Sequence, residues 1–310
     1  MNKRDRMRSV LLHEEIDEIL CSFWHHFPED RWFSDSAVNA HLDYYKGCNL
    51  DFLKIMEEVR YDFSILDSKG FEGYIPPKRK TKERNAQIDI IKRISDEIDS
   101  ECYIFTTIFD PLRTVGIIKG YEYVEAQIKE NEKAVSSAFM VLAESIAEYA
   151  TDCLNAGADG IYFSSKGAEI DRFSEDTFHN IVYNPDKLIA EGIFETSKNT
   201  ILHICGYDTE LTYYKDFPAA IVNFDCHNGR YDLNSGANIF SDRIILGGMD
   251  NRTGVLVNGA IEEIDAKVTE VLEHYTAPNP LILGADCTLP EDVSYDRIAS
   301  AVKACHNHRK

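Results

Sequence analysis

The chain has 310 residues, with 33 Lys and Arg against 53 Asp and Glu, so its formal net charge is −20. Apolar residues at 44% and charged residues at 28% are ordinary globular proportions, which excludes wholesale disorder. The acidic surplus argues against nucleic acid and anionic lipid as partners, and no run approaches the roughly 18 apolar residues of a membrane span.

The N-terminus, Met1 to Arg6, is basic but no apolar run follows it, so no secretory signal is expected. Eight cysteines (Cys21, Cys48, Cys102, Cys153, Cys205, Cys226, Cys287 and Cys305) are spread along the chain. Dispersed cysteines in a long chain without a signal suit the reducing cytoplasm better than a disulfide framework, with most of them acting as small buried hydrophobes.

Taken in order, short apolar runs alternate with helical patterns. The first predicted strand is 19–24 (Ile-Leu-Cys-Ser-Phe-Trp), followed by a helix over 36–46 and a second strand over 52–56. Residues 70–84 are turn-rich and basic and read as an exposed loop, and 89–98 is amphipathic. A β-branched and aromatic third strand covers 103–108. A long helix spans about 120–155, where Val135, Phe139, Leu142, Ile146, Tyr149 and Cys153 recur at helical spacing, and Gly157 ends it. Strands four to eight fall at 160–163, 200–204, 220–224, 243–246 and 280–283. Helices are expected over 260–274 and 296–305, and His306 and His308 in the polar tail are expected in solvent.

Short apolar strands alternating with helices mean a parallel sheet. Eight of them in a chain of this length predict an α/β fold of the (β/α)8 TIM-barrel type, with a variable N-terminal region and one domain over 1–310. The rival, a doubly wound open sheet, lacks a Gly-x-Gly-x-x-Gly after its first strand.

A barrel of this kind carries its chemistry just past the C-terminal ends of its strands. The sharpest signal there is His203-Ile204-Cys205-Gly206. Residues i and i+2 of a strand point to one side, so His203 and Cys205 aim into the mouth together. Cys287, after the eighth strand, supplies a third soft donor. One imidazole and two thiolates leave tetrahedral Zn²⁺ with one open position, the arrangement of catalytic zinc, and thiolates favour Zn²⁺ over Mg²⁺ or Ca²⁺. Spacing alone leaves a second meaning open, in which the His-x-Cys pair is incidental and Cys287 is a buried loop cysteine.

The residues also resemble the uroporphyrinogen decarboxylase superfamily, most closely its zinc-dependent branch of cobalamin-linked methyltransferases acting on thiols. The resemblance rests on NAGADGIYFSS (155–165), ILHICG (201–206), RIILGGMD (243–250), AIEEIDAKVTEVLE (260–273) and LILGADCTLPEDVSYDRIASAVKA (281–304). It extends more weakly to 32–58 near the N-terminus. It implies zinc held by His203, Cys205 and Cys287. It further implies a substrate thiol activated as thiolate, a methyl group carried by the corrinoid of a partner protein, and a small-molecule acceptor. A homo-oligomer is compatible with this reading. The superfamily's Arg-Gln-Ala-Gly-Arg-Tyr motif for porphyrinogen carboxylates is missing, and a net charge of −20 suits such a substrate poorly.

Further residues have two readings each. Asp225 either orients His203 through its second nitrogen, or caps a helix or forms a salt bridge. His227 is a substrate contact or a surface histidine. Asp250 contacts substrate or partner, or caps the turn before Thr253. Trp24, His25 and His26 line the pocket floor or pack in the core, and Tyr162 and Ser164 face the mouth. The alternative function is a metal-free decarboxylase-like lyase, with Arg113, Arg230 and Arg252 as sources of carboxylate-binding charge. A third reading is a module that binds a corrinoid protein without turnover.

Overall fold

The computed structural model describes residues 1–76 and 79–308. Seven parallel strands pair in chain order: β1 (Phe52–Ile55), β2 (Tyr103–Phe109), β3 (Gly160–Lys166), β4 (Thr200–Cys205), β5 (Ile221–Phe224), β6 (Ile244–Met249) and β7 (Leu281–Ala285). All are rich in β-branched or aromatic residues and are buried almost throughout, as strands covered on both faces must be.

The first predicted strand is not a regular one. Residues 19–25 run extended and make isolated parallel bridges, Cys21 to Leu283 and His25 to Leu289. On the β7 side, the Ser22 amide donates to Leu283 O and the Leu283 amide to Leu20 O, at 3.0 and 2.8 Å. On the β1 side, one backbone bond, from the Asp51 amide to Cys21 O at 3.0 Å, is supplemented by side chains. The Cys21 amide donates to the Asp51 carboxylate at 2.7 Å, and the Ser22 hydroxyl to Phe52 O at 2.7 Å. This segment therefore joins the two edges of the curled sheet, and the fold is a TIM-type barrel with seven regular strands and one irregular stave.

The helices pack outside. In chain order they are α1 (Lys3–Leu11), α2 (Ser34–Cys48), α3 (Ile65–Lys69), α4 (Lys82–Ile98), α5 (Pro111–Lys119) and α6 (Tyr121–Asn155). They continue with α7 (Glu175–Phe178), α8 (Asn184–Thr196), α9 (Leu233–Ile239), α10 (Val255–Asn258), α11 (Ile264–His274) and α12 (Tyr295–Asn307). The long helix α6 is broken at Asn131 (φ −154°, ψ 76°), whose side-chain oxygen accepts from the Ala134 amide and so caps the second half. The predicted loop over 70–84 begins directly after α3 and includes the start of α4; its Pro77 and Lys78 lie outside the described residues.

Two apolar layers result. One lies between sheet and helices. The other fills the barrel and comprises Leu20, Trp24, Phe52, Met56, Phe105, Tyr162, Ile201, Ile221, Ile244, Leu246 and Ile282. Met7 and Val10 of α1 belong to this inner layer. Arg4 fixes α1 at the N-terminal ends of the strands by pairing with Asp159 and donating to Cys102 O. With that end plugged, the C-terminal end is the open one. The eight cysteines are all free, six of them buried. Among the described residues, no helix is long and apolar enough to cross a membrane.

Candidate metal centre

β4 delivers the first two donors. Ser164, His203 and Asn223 are register neighbours across β3, β4 and β5. His203 and Cys205 follow each other on the inner face. The chain then leaves the strand through Gly206 at φ +152°, where a Cβ would meet Glu169 and Thr209 at about 3.0 Å. The third donor, Cys287, lies just past β7. The imidazole nitrogen of His203 and the sulphurs of Cys205 and Cys287 lie within 4.8 Å of one another, and His203 Nε2 is 3.3 Å from Cys287 Sγ. Donors bound tetrahedrally at about 2.0–2.3 Å stand roughly 3.5 Å apart. The donor set thus fits zinc in both chemistry and spacing.

The imidazole is held by its faces. The Tyr162 ring stacks on it, and the Tyr162 hydroxyl donates to Asn223. His203 Nδ1 is buried without a partner. Of the readings of Asp225, the structure shows the salt bridge rather than an orienting bond to this nitrogen. Asp225 accepts from the His227 and Asn228 amides at 2.9 Å and pairs with Arg252 at 2.8 Å. Those bonds hold its carboxyl below the usual range despite burial.

The Cys205 thiol donating to Cys287 draws Cys287 down to about 6, with Arg113 and Lys54 reinforcing the shift. The same bond, with burial, pushes Cys205 up to about 11. The pair therefore holds one negative charge near neutral pH.

Two cations face that charge. Arg113 donates to Cys205 Sγ at 2.9 Å and lies over the Phe109 ring. Its position is set by Asp110, which caps the start of α5 by accepting from the Arg113 amide and also takes the Lys166 amide. Lys54, in mid β1, was not picked out by the sequence reading. Its ammonium lies 4.1 Å from the Tyr162 ring and 5.1 Å from the Trp24 ring, and burial lowers it to about 7. The available signal was a lone lysine between Phe52 and Met56, on the inward alternation of an apolar strand.

The remaining predicted residues divide. Trp24 packs edge-on against Tyr162 at 5.1 Å inside the barrel, and Ser164 is buried beside His203. His25 points the other way. Its ring packs on Phe27, Tyr44 and Tyr295, and Nδ1 meets His26 O, so it is not brought to the donors. His26 pairs with Glu58. Asp250 caps its turn, accepting from the Arg252 amide at 2.8 Å and the Thr253 hydroxyl at 2.8 Å. His227 joins Cys226 and Asp286 in a second cluster. Its pKa is raised, chiefly by the hydrogen bond to Asp286. Arg230 pairs with Glu210 and Asp208. A surface groove of about 650 Å³ runs between α3 and α6 and includes none of these donors.

The fold and its mouth thus define a parallel α/β barrel with a soft-metal donor set at its strand ends. Residues 37–308 match the uroporphyrinogen decarboxylase (URO-D) family, and the chain belongs to it. Among solved structures, a methyltransferase from Methanosarcina mazei is 16% identical, with 98% of each chain covered and a TM-score of 0.73. A B12-independent methionine synthase from Shewanella sp. W3-18-1, in complex with selenomethionine, is 14% identical, covering 93% of this chain and 97% of that one, at a TM-score of 0.62. These likenesses show the fold. Among curated protein sequences, none matches this chain significantly.

Proposed function

We propose that this protein is a zinc-dependent methyltransferase that moves a methyl group between the corrinoid of a partner protein and a small thiol. The observation that carries this reading is the convergence of His203, Cys205 and Cys287 within 4.8 Å at the open end of the barrel. The names of the two similar structures, a methyltransferase and a methionine synthase, agree with methyl transfer.

Zinc held there would supply a Lewis-acid site that keeps a substrate thiol as thiolate at neutral pH, generating a nucleophile rather than activating water. The chain's own residues prepare that site. Tyr162 and Asn223 fix the imidazole plane of His203. Arg113 and Lys54 balance the negative charge of the Cys205 and Cys287 sulphurs. Trp24 and Tyr162 floor the mouth with aromatic surface and exclude water from beneath.

The lyase alternative needs unpaired arginines. Arg230 and Arg252 are both engaged by carboxylates of the chain itself, and Arg113 points at a sulphur.

The test is metal analysis of protein purified without chelator, together with a spectroscopic methylcobalamin-demethylation assay over a panel of thiols. The expected result is zinc in the purified protein and loss of the methylcobalamin spectrum with one class of thiol. Both are lost in Cys205→Ser and Cys287→Ser. Decarboxylation by protein from which all metal has been stripped, with no demethylation by any thiol, would overturn the reading.

A further inference from the structure

Beside the first donor set, on the β5 and β7 side of the mouth, lies another. Cys226 and His227 follow β5, and Asp286 follows β7. Their donor atoms also lie within 4.8 Å of one another. Cys226 Sγ is 3.2 Å from Asp286 Oδ1 and 3.4 Å from His227 Nδ1, and that nitrogen is 2.7 Å from Asp286 Oδ2. We infer that Cys226, His227 and Asp286 form a second binding site for a thiophilic divalent cation of the zinc class. The inference does not rest on the first site holding metal.

Three observations carry it. The first is charge. Asp286 is fully buried, and its side-chain partners are the thiol of Cys226 and the imidazole of His227. Among the described residues, no lysine or arginine pairs with it, and Arg252 of the neighbouring loop is taken by Asp225. A buried carboxylate set between a thiol and an imidazole, with no fixed cation, suits a metal that replaces their protons.

The second is chemistry. One thiolate, one imidazole and one carboxylate are all zinc donors, and the thiolate selects against Mg²⁺ and Ca²⁺. The third is rigidity. The loop carrying Cys226 and His227 is pinned by Asp225, which accepts from the amides of His227 and Asn228. Asp286 is pinned through its own amide to Met249 O at 3.0 Å. Consecutive residues of one loop, Asp286 and Cys287, thus serve two adjacent donor sets.

The experiment is titration of the metal-stripped full-length protein with Zn²⁺, and with Co²⁺ as an absorbing probe, counting equivalents per chain. Wild type is expected to take two equivalents, one for each donor set. Cys226→Ser is expected to take one, and so is the Cys205→Ser, Cys287→Ser double variant. The Co²⁺ complex of that double variant should show weaker sulphur-to-metal absorption, with one thiolate in place of the three of the fully loaded wild type. His227→Gln is the second probe. Its side chain is partly exposed, and the turn bonds at this position use its backbone amide, so it keeps the fold and loses the donor. Two outcomes overturn the inference. In one, wild type binds a single equivalent that Cys205→Ser abolishes. In the other, the second equivalent persists in both Cys226→Ser and His227→Gln. If an equivalent survives the Cys205→Ser, Cys287→Ser variant and disappears with Cys226→Ser, this site stands even where the methyltransferase reading fails.

Discussion

The ring of Tyr162 lies over the imidazole of His203, with centroids 5.4 Å apart and planes inclined by 27°. Its hydroxyl donates to Asn223 Oδ1 at 2.8 Å, and Asn223 donates onward to Leu246 O and Ala285 O. The stack is thereby anchored to β6 and β7, the latter being the strand that delivers Cys287. Metal-binding histidines usually have their second nitrogen held by a hydrogen bond; here stacking takes that part, since Nδ1 has no partner. Tyr162→Ala should therefore weaken zinc binding by about 10- to 100-fold, the usual effect of removing an orienting partner. Tyr162→Phe, which keeps the stack, should lose much less. Chelator competition measures both, and equal affinity in Tyr162→Ala and wild type would show that the stack orients nothing.

The sulphur pair makes the metal-free protein pH-sensitive. Cys287 is depressed to about 6 from an ordinary 9, and Cys205 is raised to about 11. For the depressed group, the stabilising contribution is complete above about pH 9 and is lost as pH falls through 6. For the raised group, it is complete below 9 and lost as pH rises towards 11. Stability of the metal-free protein should thus climb between pH 6 and 9, by at most about 1.4 kcal/mol per pH unit from this pair. Urea midpoints of the chelated wild type and Cys287→Ser at several pH values check this, and parallel pH profiles for the two proteins would refute it.

Much of the barrel is legible in the sequence because strands buried on both faces must be continuous apolar runs. The His203 and Cys205 pair is legible for the same reason, since strand alternation puts both on one face. Other features are not local. The irregular first stave looks like its neighbours, because partial replacement of its β1-side ladder bonds by Asp51 and Ser22 side chains leaves no mark on residues 19–24. Asp225 and Arg252 are 27 positions apart and meet only through the barrel's curvature. The same holds for His306, expected in solvent but paired with Asp51. His25 is a different case. Alternation alone puts it opposite Trp24, so one of the two had to face away from the mouth.

Lys54 is a buried cation that forms no ion pair with a carboxylate among the described residues. Its ammonium rests against the Tyr162 and Trp24 rings and Met56 Sδ. Burial lowers it from 10.5 to about 7. Between those values the unfolded chain carries a proton the folded one lacks, so stability rises with pH across that window, and below about 7 the cost of the buried charge is complete. Lys54→Met should stabilise the protein at pH 6 by about 1–3 kcal/mol, as apolar replacement of buried charges does. It should also flatten the pH dependence above 7. The same variant should slow methyl transfer, because it removes positive charge facing the sulphurs; loss of function with gain of stability is the mark of a site held at a cost to the fold. Calorimetry with the demethylation assay tests the pairing, and a variant that is both less stable and fully active would contradict it.

Asp51 ties the barrel shut. It is fully buried, accepting from Arg6 at 2.8 Å, from the Cys21 amide at 2.7 Å and from His306 at 2.8 Å. One carboxylate therefore links α1, the irregular stave, the entry to β1 and α12. An asparagine there offers a single acceptor oxygen and no charge, which leaves donors on several elements short of a partner. Asp51→Asn is expected to cost about 2–4 kcal/mol, the range for stripping one member from a buried charged network. Ser22 and Leu283 keep their backbone bonds, and the metal donors hang on β4 and β7, so zinc content of the folded variant should be unchanged. Urea unfolding should show a lower midpoint with the slope preserved. An unchanged midpoint would mean that the stave's backbone bonds, to β7 and from the Asp51 amide to Cys21 O, close the cylinder unaided, and that the stave needs no side-chain anchor on its β1 side.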